Sequence, residues 1–181
     1  IGVVITRPRD SAARLLQEIE RQRGTAWPFA ALEISGIELD ATLQCALAQA
    51  PDFDFWIFIS QSAVEHGVRL LRQVAISLDS VPAIAIGPST QQALVDAGFS
   101  KVLVSENGFD SDAVLALPAL QRSAAAAVPR KVLIFRGRGG RERLREGLQA
   151  RGFAVAYLEC YERRAPQSNP EALLEAWRSG K

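Results

Sequence analysis

Apolar residues along this chain fall into short continuous runs, and the stretches between them carry apolar positions at helical spacing. Gly2-Val3-Val4-Ile5-Thr6 predicts a buried strand that stops at Arg7-Pro8, where the proline removes a ladder donor. Asp10 or Ser11 is placed to cap the next helix, whose Leu15, Leu16 and Ile19 keep one face up to Gly24. A second extended stretch is expected over Ala30 to Ile34. The alternation then recurs: strand Asp54 to Ile59 and helix Gln61 to Arg72, then strand Pro82 to Ile86 and helix Ser89 to Ala97, closed by Gly98. Lys101 to Val104 predicts a short strand, Ser111 to Leu117 a helix and Arg130 to Phe135 a strand. Gly140 to Arg151 predicts a helix closed by Gly152, followed by a strand from Ala154 to Tyr161. Continuous apolar strands between helices are what a parallel sheet covered on both faces requires, so the fold class is α/β, doubly wound.

Two stretches look related. Ile5-Thr6-Arg7-Pro8-Arg9 resembles Ile134-Phe135-Arg136-Gly137-Arg138, and each precedes a helix. Leu15 and Ile19 match Leu144 and Leu148, Gly24 and Gly152 close the helices, and Ala31-Leu32-Glu33-Ile34 matches Tyr157-Leu158-Glu159-Cys160. Any two strand–helix–strand units share this much. An internal duplication would leave the same trace, and with it two similar α/β halves.

A length of 181 residues allows one sizeable domain or two small ones, and 48% hydrophobic with 23% charged residues argues against a disordered chain. No run approaches the roughly 18 apolar residues of a membrane span. The start, Ile1 to Arg7, shows no secretory signal, although the chain lacks an initiator Met and a processed start stays open. Cys45 and Cys160 are too few for a disulfide scaffold and wrongly spaced for zinc, which points to a reducing cytoplasm. His66 is the only histidine, which leaves little room for histidine-centred metal chemistry. The net charge of +1 advertises no nucleic acid, yet Arg136, Arg138, Arg141, Arg143, Arg145 and Arg151 cluster.

Candidate chemistry gathers at the predicted strand ends. In Gly137-Arg138-Gly139-Gly140, small residues let backbone N–H groups approach an anion. The third glycine of a dinucleotide fingerprint would fall on Glu142, and no Gly-Lys-Ser/Thr follows. The plainer alternative is a glycine turn before an exposed helix, with Arg143 paired to Glu146 and Arg145 to Glu142. Ser60, Gln61, Ser62 and Ala63 follow the very apolar run Phe55-Trp56-Ile57-Phe58-Ile59, and Gly87, Ser89 and Thr90 repeat that arrangement. Each set is either a helix cap or part of a cleft lined by helix starts. Tyr161, at the end of its strand, is either an amphipathic packing residue or a proton donor into such a cleft. His66 reads as a surface or packing residue, and Asp52, Asp54, Asp110 and Asp112 read as caps. No nucleophile–histidine pairing is discernible.

Together these segments resemble the uroporphyrinogen-III synthase family. The resemblance rests on Val4-Ile5-Thr6-Arg7-Pro8, on Asp54 through Val64, and on Ala85-Ile86-Gly87-Pro88-Ser89-Thr90 with Ala93-Leu94 and Gly98. It ends with Arg136 through Glu142 and Cys160-Tyr161-Glu162-Arg163. Where the family usually carries threonine before the serine, this chain has Ile59.

The resemblance implies two doubly wound parallel-sheet domains, flavodoxin-like, joined by two extended linkers near Glu33 to Glu38 and Tyr161 to Pro166. Domain 1 would then be discontinuous, residues 1–34 and 163–181 with helix Glu171 to Arg178, and incomplete, because the family continues beyond that point. Domain 2 would be residues 35–162. The implied substrate is hydroxymethylbilane, a linear tetrapyrrole with eight carboxylates, closed with loss of water and inversion of the last pyrrole and without a cofactor. Tyr161 becomes the candidate that assists the leaving hydroxyl. Arg7, Ser60, Gln61, Ser62, Ala63, Gly87, Ser89, Thr90, Arg136, Gly137 and Gly139 become candidate substrate contacts. The expected protein is a cytoplasmic monomer with no nucleic-acid or membrane partner. Two other readings stay open: a non-catalytic α/β module sensing an anionic small molecule at the glycine loop, and, more distantly, a dinucleotide-dependent enzyme.

Overall fold

The alternation of strands and helices is present in the computed structural model, which describes residues 2–121, 128–166 and 170–179. In chain order the elements are β1 (Gly2–Ile5), α1 (Arg9–Arg21), β2 (Thr25–Pro28), β3 (Glu33–Gly36), α2 (Ala41–Ala48), β4 (Phe55–Phe58), α3 (Gln61–Gln73) and β5 (Ala83–Ala85). They continue with α4 (Pro88–Ala97), β6 (Val102–Val104), α5 (Ser111–Leu115), β7 (Lys131–Gly137), α6 (Arg143–Gln149), β8 (Ala154–Arg164) and α7 (Glu171–Arg178). The chain divides into two compact units: one of Ile1–Ser35 with Arg163–Lys181, the other of Gly36–Glu162. The outer ends of the expected first domain, Ile1 and Lys181, lie outside the described residues. Among the described residues no helix is long and apolar enough to cross a membrane.

In the smaller unit β1 and β2 pair in parallel, with Ile5 opposite Pro28. The expected strand at Ala30 to Ile34 is shifted: its last two residues, Glu33 and Ile34, open β3 (Glu33–Gly36), and a separate strand precedes it at Thr25–Pro28. Pro28 reads as a strand breaker, but β2 pairs only with β1 in this sheet, so the missing donor breaks no second ladder. The strand that follows Gly24 is thus β2. The expected caps on α1 are also corrected: Pro8 takes the capping position and Asp10 and Ser11 lie in the first turn.

The larger unit is built on parallel strands in the spatial order β8-β7-β4-β5-β6. Counted from β4 in chain order, these five strands run 3-2-1-4-5 when read from β6. Counted instead from β7, the same strands run 2-1-3-4-5 when read from β8, so the sheet has the flavodoxin-like spatial order with the chain entering it at a different strand. All four residues of β4 are buried, because both faces are covered. Phe55 and Ile57 join Ile84, Val132 and Ile134 in a core with Val114 and Leu115 of α5 and Leu144 and Leu148 of α6. The alternate residues Trp56 and Phe58 face the other way by the pleat. There Phe58 stacks on Phe135 at 4.3 Å, and Gly67 of α3 lies against both rings. The buried Trp56 indole donates to the Ala50 carbonyl at 2.9 Å, so its one polar group is satisfied.

Helix α2 has no counterpart among the expected elements. Asp40 caps it by accepting from the Leu43 N–H at 2.7 Å, but only Leu47 is buried, so the helix carries almost no apolar periodicity. Helix α6 begins at Arg143 rather than Gly140. Gly139 and Gly140 adopt φ of +70° and +113°, outside the helical region, so the helix cannot start with them. Strand β8 continues past Tyr161 to Arg164.

Candidate functional site

The larger unit has one place where the strand order reverses. The chain lays down β4, β5 and β6 in one direction, then returns to place β7 on the opposite flank of β4. Connections leaving β4 and β7 at their carboxyl ends therefore diverge and open a crevice, the usual ligand position in such sheets. Ser60 and the start of α3 stand on one side of this point, and Arg136 to Glu142 on the other.

Ser60 caps α3 by accepting the Ala63 N–H at 3.1 Å. Its Oγ also lies 3.2 Å from the Tyr161 hydroxyl, and either can donate. Tyr161 stands on β8, beyond β7, and reaches Ser60 by laying its ring over Gly137. A Cβ at Gly137 would sit 2.5 Å from a Tyr161 ring carbon, so only glycine leaves the ring this path. Tyr161 is 1% exposed and is therefore held in one position rather than presented loosely at a strand end. The His66 ring lies 5.9 Å from that of Tyr161, which brings the lone histidine beside the hydroxyl pair. Cys160, next to Tyr161, is buried and donates weakly to the Arg136 carbonyl at 3.4 Å. Burial pushes its thiol up to about 12, so it stays protonated and is no nucleophile.

The glycine loop is held from inside by Arg136. The residue is 3% exposed, with Nε donating to the Gly137 carbonyl at 3.3 Å, Nη1 to Glu142 at 3.1 Å and Nη2 to the Gly139 carbonyl. Its guanidinium also lies 4.2 Å from the Tyr157 ring centroid. Tyr157 in turn donates to Glu142 at 2.8 Å. That bond, with Arg136 beside it, holds the Glu142 carboxyl below its ordinary value of 4.5. Burial, and then the same bond, push the Tyr157 phenol up to about 12. Glu142, where a third glycine would be needed, is thus the anchor of the loop, and the space beneath the loop is filled by a guanidinium. The residues present do not fit a dinucleotide pyrophosphate.

Outside the loop, the Gly139 N–H donates to Glu159 at 3.3 Å, and Arg138 pairs with Glu159 at 3.7 Å and Glu162 at 3.3 Å. The expected Arg143–Glu146 pair is replaced by Arg143–Asp112 at 2.8 Å, whereas Arg145 does lie 3.7 Å from Glu142. Among the described residues no group of three or more His, Cys, Asp or Glu could hold a metal ion.

The structure therefore gathers Ser60, Ala63, Arg136, Gly137, Gly139 and Tyr161 around the switch point, with Gln61 exposed and Ser62 half-buried on the first turn of α3. Gly87, Ser89 and Thr90 lie at the neighbouring strand end, where Gly87 caps α4, Ser89 is exposed and Thr90 is buried. Arg7 belongs to the smaller unit and is exposed just past β1. Glu142, Tyr157 and His66 had no assigned part in a site. Tyr157 sits within an apolar strand, and nothing in that pattern marks its hydroxyl as an anchor.

A family model described as uroporphyrinogen-III synthase HemD matches residues 13–181. The uroporphyrinogen-III synthase of Escherichia coli (strain K12) is 32% identical over 164 residues, covering 90% of this chain and 65% of that protein. The Salmonella typhimurium (strain LT2) uroporphyrinogen-III synthase is 34% identical over 165 residues, with the same 90% and 65% coverage. The chain thus spans slightly less than two thirds of the length of these relatives. Among solved structures, a mutant uroporphyrinogen III synthase from the extremely thermophilic bacterium Thermus thermophilus shares the fold, with a TM-score of 0.67 at 19% identity over 99% of this chain and 69% of that one. A wild-type crystal form of the same protein gives a TM-score of 0.56 at 20% identity, over 99% and 68%.

Proposed function

This chain belongs to the uroporphyrinogen-III synthase family, and we propose that it closes hydroxymethylbilane into uroporphyrinogen III. The observation that carries the proposal is the Tyr161–Ser60 hydroxyl pair, 3.2 Å apart, set at the switch point of the sheet. The terminal pyrrole nitrogen of the substrate pushes out the neighbouring hydroxyl, so the C–O bond breaks with modest help and water leaves. Tyr161 supplies that help through Ser60. With the Ser60 oxygen accepting from Tyr161 and from the Ala63 N–H, its own O–H is directed to the leaving hydroxyl. The harder task is selection of the carbon that attacks. The substituted carbon of the last ring must be held against the cation so that closure proceeds through a spiro intermediate and inverts that ring, which is a matter of fixed positions.

Backbone donors suit this work because they do not move when charge develops. The helix starts at Ser60 to Ala63 and at Gly87 to Thr90, and Arg7, are assigned to the substrate carboxylates; the Gly137 to Gly139 loop shaped by Arg136, whose Gly139 N–H already donates to Glu159, is assigned to substrate contact as a wall. The reaction asks for no cofactor, since the pyrrole supplies its own electrons. The same reading makes the protein a cytoplasmic monomer acting on a small molecule, without nucleic acid or membrane. Residues 1–34 and 163–181 are read as one discontinuous domain and residues 35–162 as the other, joined by two extended linkers, a reading supported by the division of the chain into two compact units. Membership of an enzyme family disfavours the non-catalytic sensing module.

The test is kinetic. Freshly made hydroxymethylbilane should cyclise faster with the full-length protein than in buffer, and a rate equal to the spontaneous one would count against the proposal.

A further inference from the structure

One phenylalanine of the larger unit is out of line with the rest. Phe55, Phe58, Phe99, Phe135 and Phe153 are each no more than 6% exposed and Phe53 is half-buried, whereas Phe109 is 62% exposed. Leaving a phenylalanine in water forgoes the apolar burial that the other rings obtain. A floppy loop would make this ordinary, but the loop is pinned on both sides of the ring. Ser105, buried at the end of β6, accepts from the Asn107 N–H at 3.2 Å. Gly108 takes φ of +126°, which an L side chain rarely adopts, and Asp110 caps α5 through the Ala113 N–H at 2.9 Å. Phe109 stands between the last two.

The ring is also placed. It lies along Gly87, where an added Cβ would be 3.1 Å from the Phe109 Cβ, 3.5 Å from Cγ and 3.6 Å from Cδ1. Gly87 is the cap of α4, and the exposed Ser89 follows two residues later. The carboxyl ends of β5 and β6, adjacent parallel strands, thus present an exposed aromatic ring directly beside a helix start with an exposed hydroxyl. A flat, electron-rich ring bearing carboxylates matches both halves of this surface: its face meets the phenyl group and its carboxylate meets the polar helix start.

We propose that Phe109 is a stacking surface for one pyrrole ring of the tetrapyrrole substrate. The proposal rests on the synthase reading for the identity of that ring, and it assigns Phe109 a direct contact with substrate. Phe109 also covers Gly87, so the test must separate an apolar cover from a π face.

Phe109→Leu keeps the cover and removes the face, and Phe109→Trp keeps both. Binding of uroporphyrin, an unreactive flat octacarboxylate, is followed by its own fluorescence for the full-length protein and both variants. In parallel, KM and kcat are measured with hydroxymethylbilane. Phe109→Leu should weaken uroporphyrin binding and raise KM about two- to tenfold, the range of a single aromatic contact, with kcat and Tm little changed. Phe109→Trp should bind as the parent does. Equal binding by parent and Phe109→Leu, equal weakening in both variants, or no uroporphyrin binding by the parent would each overturn the proposal. Failure of the synthase reading shows separately, as a parent protein that binds uroporphyrin but does not accelerate cyclisation.

Discussion

Gly137→Ala should yield a folded protein with a lower Tm and little remaining cyclisation activity. The added Cβ would fall 2.5, 2.7 and 3.0 Å from three ring carbons of Tyr161, well inside contact distance. Tyr161 is 1% exposed, so its ring has no open space to enter and the strain spreads into β7 and β8. Overpacking of this kind costs about 1–3 kcal/mol, and for a chain of this size each kcal/mol lowers Tm by about 2–4 °C. The loss of activity has a different origin. Any shift of the ring moves the hydroxyl now 3.2 Å from Ser60, and hydrogen bonds weaken steeply with small displacements. Gly152→Ala, at the end of α6, is the control. Its Cβ would meet nothing within 4 Å, although its φ of +84° makes alanine cost about 1–2 kcal/mol there. It should therefore lose comparable stability and keep most of its turnover. If both variants turn over equally well, the position of Tyr161 does not matter to the reaction.

Tyr161→Phe should slow turnover about tenfold and leave the protein folded. Removing the hydroxyl costs the bond to Ser60, about 0.5–1.5 kcal/mol, and leaves the ring packed over Gly137. General acid catalysis contributes about a hundred- to ten-thousand-fold where the leaving group depends on it. In the proposed mechanism the pyrrole nitrogen carries most of the ionisation, and Ser60, still accepting the Ala63 N–H, can donate to the departing oxygen. The measurement is kcat for parent and variant, with Tm as the check on folding. A folded Tyr161→Phe variant with no activity would mean that proton donation limits the reaction.

The strands of the core are legible in the sequence because they are continuous apolar runs. Phe55-Trp56-Ile57-Phe58 is buried on both faces, and no amphipathic helix has that composition. Elements without that signal are not. β2 ends in Pro28 and pairs in its sheet with β1 alone, and α2 buries only Leu47, so neither carries the periodicity that sequence reading depends on. Asp40 before Ala41 is the one available sign of α2, a cap in front of a helix-forming stretch.

The candidate site is legible as a set of strand ends but not as an arrangement. Strand order is a tertiary property, so nothing local places β7 beside β4 or lets a β8 tyrosine reach Ser60. The arginine cluster shows the same limit. Read along the chain it is a basic patch. In the structure Arg136 is buried within its loop, Arg138 pairs with Glu159 and Glu162, Arg143 with Asp112, and Arg151 donates to the Leu115 carbonyl. Charge paired in this way is partly neutralised within the fold, although Arg138 and Arg143 keep exposed side chains. Phe109 is invisible for the opposite reason: a single apolar residue in a polar turn has no period, and only its exposure beside Gly87 distinguishes it.

The central claim is that this protein selects the attacking carbon and inverts the last ring. It is tested most directly by giving freshly prepared hydroxymethylbilane to the full-length protein, oxidising the products, and separating type I from type III uroporphyrin by chromatography. Spontaneous closure proceeds without inversion and gives type I. The account predicts predominantly type III; type I alone, from protein shown to be folded, would contradict it.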